Sequence, residues 1–177
     1  MKIIALSDTH LRGGILSPQL EAIIADSDMI VHAGDFDSME CYRKFDDSQK
    51  LKAVHGNSDD TELKQLLPER IKFKVEGIYI GVVHNGSLSI MNTNALRYLA
   101  LEMDVDILIF GHIHRPLIEK SDVTLICPGS PTSPRMASPT VVEINIDGKD
   151  VSIRIIEMEG RSCEYIKFSQ ELSTRSD

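Results

Sequence analysis

At 177 residues the chain has room for one domain with a full core and too little for two independent ones. Its 42% hydrophobic and 26% charged residues are ordinary for a soluble globular protein, and no apolar run approaches bilayer-spanning length. A net charge of −8 disfavours a non-specific nucleic-acid binder or a protein that clings to anionic membranes, and any anionic substrate would need a locally positive centre.

Lys2–Leu6 predicts a first strand, with Ile4 and Leu6 on one face and Ile3 and Ala5 on the other. This apolar opening resembles the core of an export signal only briefly, because Ser7-Asp8-Thr9-His10 interrupts it, so the expectation is a strand and no export. Ser17-Pro18 supplies an N-cap and a first-turn proline, and Leu20, Ile23 and Ile24 form the stripe of the helix that follows. Met29-Ile30-Val31 reads as a second strand ending at His32-Ala33-Gly34-Asp35. Ser38 to Phe45 reads as a short helix with a poor apolar pattern. Leu51–Val54 is a third strand ending at His55-Gly56-Asn57, and Asp60 to Leu67 is a helix stopped by Pro68. Such alternation implies parallel strands with right-handed crossovers.

The second half changes character. Arg70–Val75 and Ile78–Val83 flank Glu76-Gly77 as an antiparallel hairpin. A helix is expected from Thr93 to Met103, then a buried strand at Ile107–Phe110 that runs into Gly111-His112-Ile113-His114. Pro116 to Cys127 holds two strand-like stretches around Ser121-Asp122, and Val141–Ile146 and Val151–Glu157 pair across Asp147-Gly148-Lys149. The expected organisation is a single domain over residues 1–168 and a polar tail at 169–177. The three cysteines, Cys41, Cys127 and Cys163, have no metal-ligand spacing, and their odd number suits a reduced, cytoplasmic compartment.

Five apolar runs end in the same few residue types: Asp8-x-His10, Gly34-Asp35, Gly56-Asn57, His84 and His112-x-His114. Each fragment alone is more often a turn than a ligand set. Carboxylate, imidazole and carboxamide repeated at successive strand ends, where open α/β sheets bind their ligands, instead point to a metal centre. No G-x-G-x-x-G or Walker motif supports a nucleotide- or sugar-binding domain.

In order, approximate spacing and strand context these blocks resemble the signature of calcineurin-like metallophosphoesterases. Pro128-Gly129-Ser130-Pro131-Thr132-Ser133-Pro134-Arg135 sharpens the likeness to the small YfcE-type phosphodiesterases. The resemblance implies an α/β fold, a four-layer αββα sandwich of two mixed β-sheets flanked by helices. It implies two divalent metal ions, one held by Asp8, His10, Asp35 and His114, the other by Asp35, Asn57, His84 and His112. Asp35, with two oxygens, would bridge them, and Asn57 would add a ligand without adding charge. Manganese is the first expectation, with nickel, iron, cobalt, zinc or magnesium as alternatives.

The implied activity is that of a phosphodiesterase or phosphatase acting through in-line attack by a metal-bridging hydroxide, with Asp35, Asn57 and His84 serving catalysis through the metals. The expected partner is a small phosphate-ester substrate; nucleic acid enters only as a short or cyclic nucleotide, no membrane is involved, and the second-half hairpins leave room for a homo-oligomer. Arg135, Asn85 and Ser58 are candidates for touching substrate. Ser58 stands where larger relatives carry a histidine that protonates the leaving oxygen, so esters with acidic leaving groups, such as aryl diesters, should be preferred. Asp59 could stand in as the acid, but a solvated carboxylate there would be ionised, so a turn role is expected. His32 and His55 are expected inside strands, facing away from the metals and buried. The competing reading is a non-catalytic protein-binding scaffold on the same fold, as the retromer subunit of this type illustrates.

Overall fold

The computed structural model describes residues 1–13, 15–84 and 93–160. Asn85, Cys163 and the polar tail at 169–177 therefore lie outside the described residues.

Among the described residues, ten strands form two five-stranded sheets. The first has the order β10-β9-β1-β2-β3, comprising β1 (Lys2–Leu6), β2 (Met29–His32), β3 (Leu51–Ala53), β9 (Thr140–Asp147) and β10 (Asp150–Glu157). The second has the order β4-β5-β6-β8-β7, comprising β4 (Arg70–Val75), β5 (Ile78–Val83), β6 (Ile107–Phe110), β7 (Pro116–Lys120) and β8 (Thr124–Pro128). β1, β2 and β3 run parallel, as do β5, β6 and β8; β9 with β10, β4 and β7 pair antiparallel to their neighbours. Both sheets are mixed, as expected.

The alternation in β1 explains the layering. Ile3 and Ala5 face the second sheet and join Val31, Val82, Ile109 and Ile144 in the core between the sheets. Ile4 and Leu6 face outward, beneath helices α1 (Pro18–Ala25) and α2 (Met39–Asp46), among Leu20, Ile24, Cys41 and Phe45. On the far side α4 (Asn94–Glu102) lays Leu96 and Ala100 over Leu108 and Phe110. The central parallel strands are thus apolar on both faces, which is why they read as unbroken hydrophobic runs. Each fully buried isoleucine or leucine of these layers contributes about 2 kcal/mol relative to exposure.

Three of the four helices among the described residues start at a side-chain cap, and α4 does not. The side chain of Ser17 accepts from the Leu20 N–H, Ser38 from Cys41 and Asp60 from Leu63 at the start of α3 (Thr61–Leu66). The poorly patterned α2 forms because Ser38 caps it and Cys41 and Phe45, four residues apart, are both fully buried. His55 departs from expectation: β3 stops at Ala53, so His55 lies in the following loop and is half-buried. No helix among the described residues is long and apolar enough to cross a membrane.

Candidate metal centre

The expected donors meet at one end of the sandwich, each in the loop that leaves the carboxyl end of a strand. β1 delivers Asp8 and His10, β2 delivers Asp35, β3 delivers Asn57, β5 delivers His84, and β6 delivers His112 and His114. Five of them occupy the left-handed region, with φ of 54° at Asp8, 45° at His10, 62° at Asp35, 79° at His112 and 54° at His114. A side-chain-bearing residue held there costs on the order of 1 kcal/mol, and such strain concentrates where geometry serves function. Tertiary hydrogen bonds hold these turns. Asp8 donates its N–H to Gly34 O at 2.9 Å and His10 to Asp35 O at 3.1 Å. The His112 N–H reaches both carboxylate oxygens of Asp8, at 3.0 and 3.1 Å.

Glycines make the approach possible. A Cβ on Gly56 would lie 2.0 Å from Asp35 Oδ1, and one on Gly111 would lie 2.6 Å from Ala33 O and 2.7 Å from His84 Nδ1. Neither position tolerates a side chain without displacing a donor.

The donor atoms approach one another in two sets, with Asp35 between them. In the first, His114 Nε2 lies 3.3 Å from Asp8 Oδ1 and 3.3 Å from His10 Nε2. In the second, Asn57 Oδ1 lies 3.0 Å from His84 Nε2 and 2.9 Å from His112 Nδ1. Between them, Asp35 Oδ2 is 3.6 Å from His10 Nε2 and 3.3 Å from His84 Nε2. His112 and His114, two apart in sequence, therefore face different neighbours, Asn57 for the first and Asp8 and His10 for the second.

The ring tautomers suit cation binding. His84 donates Nδ1–H to Ala33 O at 2.7 Å, and His114 donates to Ser133 O at 2.6 Å. His10 places Nδ1 2.7 Å from the carboxylate of Asp37. With each Nδ1 so engaged, the Nε2 atoms point at one another or at oxygen atoms. Ring nitrogens and oxygens converging at 3.0–3.6 Å form the arrangement that a cation would draw together. Ligand atoms of Asp8, His10 and His114, and of Asp8, Asp35 and His84, lie within 4.8 Å of one another in each group.

Charge follows the same geometry. Burial pushes the Asp8 carboxyl up, against the pull of His84 and His114. Burial also pushes on Asp35, but the hydrogen bond and charge of His84 and the Ser58 N–H hold it well below the usual carboxylate range. Burial opposes protonation of His84, yet Asp35 and Asp8 raise it overall. Burial lowers His112 and His114, and the Arg135 guanidinium adds to both effects. Ser58 sits at the exposed rim, its N–H on Asp35 Oδ1 at 2.8 Å and its hydroxyl accepting from Asn57 Nδ2 at 3.2 Å.

Three supporting residues are not evident from donor spacing. Asp59 is 2% exposed, not solvated, and accepts the backbone N–H groups of Asp35, Gly56 and Asp37. Its only sequence signal is its place two residues after Asn57. Asp37 backs His10. Buried Ser130 donates to Asp8 O at 2.7 Å and accepts the Ser133 N–H at 2.7 Å, which ties the proline-rich loop to the donors. His32 is buried as expected, stacked on Phe36 with centroids 3.6 Å apart, and it accepts the Gly34 N–H on Nδ1 at 3.2 Å.

Residues 1–149 match the family model of the calcineurin-like phosphoesterase superfamily domain. The chain belongs to that superfamily. Among relatives of this phosphoesterase, a probable metallophosphoesterase of Methanothermobacter thermautotrophicus is 33% identical over 95% of the chain and 99% of its own length. A phosphodiesterase of Methanocaldococcus jannaschii is 26% identical over 89% of the chain and 100% of its own length. Two solved structures share the fold. A conserved Streptococcus pneumoniae protein described as a predicted phosphoesterase has a TM-score of 0.72 and 23% identity, covering 88% of each chain. Vacuolar protein sorting 29 of Cryptosporidium parvum has a TM-score of 0.71 and 21% identity, covering 88% of this chain and 97% of its own. The protein is a metal-dependent hydrolase of phosphoric esters, and its family binds divalent metals.

Proposed function

We propose that this phosphoesterase is a dinuclear phosphodiesterase, a single domain over residues 1–168, acting in the cytoplasm on a small diester with an acidic leaving group. Asp8, His10, Asp35 and His114 hold one divalent ion, and Asp35, Asn57, His84 and His112 hold the other. The carrying observation is that Asp35 Oδ2 faces His10 Nε2 at 3.6 Å and His84 Nε2 at 3.3 Å, one oxygen addressed by both clusters. Mixed imidazole and oxygen donors favour manganese or a neighbouring transition ion. The diesterase activity named for the Methanocaldococcus jannaschii relative supports a diester.

When bound, the two ions supply activation of water and neutralisation of phosphoryl charge. The chain's own part is orientation. The Ser58 N–H engages Asp35 Oδ1 and leaves Oδ2 for the shared position. Ala33 O and Ser133 O hold the rings of His84 and His114 with Nε2 inward. Arg135 supplies positive charge for a phosphate oxygen in an otherwise acidic protein, and Ser58 completes the substrate wall at the exposed rim.

A scaffold role finds support in the fold shared with vacuolar protein sorting 29. All seven donor positions of this chain nonetheless hold competent ligands, which favours hydrolysis. The test is metal analysis of protein purified without chelators, with turnover of bis(p-nitrophenyl) phosphate under Mn²⁺, Ni²⁺ and Mg²⁺. Two ions per chain and metal-dependent turnover that Asp35→Asn abolishes are expected; unchanged turnover in that variant overturns the assignment.

A further inference from the structure

His10 differs from two other imidazoles of the centre in what holds its far nitrogen. His84 and His114 donate Nδ1–H to main-chain carbonyls, Ala33 O at 2.7 Å and Ser133 O at 2.6 Å. His10 instead sets Nδ1 2.7 Å from Oδ1 of the Asp37 carboxylate. An ionised acceptor makes the stronger hydrogen bond, and it drives electron density through the ring toward Nε2, the atom that faces His114 and Asp35.

Asp37 is itself held in place. It stands on the turn that carries Asp35, in the left-handed region at φ 73°, and its N–H donates to Oδ1 of the buried Asp59 at 2.8 Å. Its side chain is 13% exposed, so little solvent competes for the imidazole. A strained, braced carboxylate aimed at the back of one imidazole is costly to maintain unless orientation matters.

We infer that Asp37 is a positioning residue for the ion held by Asp8, His10 and His114, fixing the His10 tautomer and ring plane and strengthening that ion's binding relative to its neighbour. The inference rests on the dinuclear reading above. It makes the two positions unequal: the ion backed by Asp37 is the slower to leave under chelation.

The test is calorimetric titration of chelator-stripped protein with Mn²⁺. Wild-type protein should take up two ions. Asp37→Ala should weaken one of them by about 10–100-fold and leave the other unchanged. Asp37→Asn, which tolerates a left-handed backbone and keeps a neutral acceptor, should fall between, with the ion-free melting temperature of wild type. In the His112→Ala background, which retains the first cluster, Asp37→Ala should weaken the remaining ion by the same factor. Two sites unchanged in Asp37→Ala, or two weakened equally, overturn the inference while leaving the dinuclear reading intact. Uptake of a single ion by wild type overturns the dinuclear reading. The inference then survives only if Asp37→Ala weakens that ion.

Discussion

The backbone N–H of Asp35 donates to the Asp59 carboxylate, Oδ2 at 3.1 Å. The same oxygen takes the Gly56 N–H at 2.7 Å, while Oδ1 takes that of Asp37 at 2.8 Å. One buried side chain thus joins the turn after β2 to the loop after β3. Asp59→Ala leaves these donors without their acceptor, and the ion-free protein should lose about 3 kcal/mol of stability, read by urea denaturation. An unchanged midpoint would mean that the loops are held by other contacts.

Removal of His112 separates the clusters. In the proposed division of donors, His112→Ala takes a donor from the second cluster and none from Asp8, His10, Asp35 and His114. Metal analysis should find one ion per chain, with turnover lost. Two retained ions, or none, contradict the division of donors.

In the proposed reading, the position after Asn57, which would stand beside the leaving oxygen, holds no imidazole. Ser58 occupies that position, exposed, with its hydroxyl engaged by Asn57 Nδ2 at 3.2 Å. A serine hydroxyl is a poor proton donor at neutral pH, so aryl diesters should be hydrolysed faster than alkyl diesters by at least about tenfold. Equal rates on matched aryl and alkyl substrates would show that another group protonates the leaving oxygen.

Away from the centre, Glu143 is 3% exposed on β9 and meets Arg154 Nε at 2.7 Å and Asn145 Nδ2 at 2.7 Å, with Lys2 Nζ at 3.4 Å. The Arg154 hydrogen bond, supported by Asn145 and Lys2 against the opposing effect of burial, pulls its carboxyl from 4.5 down to about 2. A depressed folded value stabilises the native state fully above the unfolded value, and the gain disappears as pH falls through the folded one. Glu143→Gln should therefore be less stable than wild type above pH 4.5, with the gap closing toward about pH 2. A gap independent of pH, followed by chemical denaturation, would assign the effect to packing.

The fold is legible in the sequence where periodicity is strong. The two faces of Lys2–Leu6, the hairpin across Glu76-Gly77 and the hairpin across Gly148 all form as their patterns indicate. The seven expected donors come together because strand ends are marked by abrupt changes from apolar to ligand-type residues. The braces are not legible. Asp37 and Asp59 have the residue type and setting of ordinary turn formers, and only the folded chain shows that their oxygens face His10 and three main-chain N–H groups. His55 is misplaced for a simpler reason: β3 ends two residues short of it, a boundary that apolar pattern does not mark.

Each proposed cluster draws on both sheets. The first sheet contributes every oxygen donor together with His10, and the second contributes His84, His112 and His114. Neither sheet alone supplies the full ligand set of either proposed cluster. In the proposed centre, complete ion capture would therefore wait on assembly of both sheets, and a chain with one sheet out of place would lack a full ligand set.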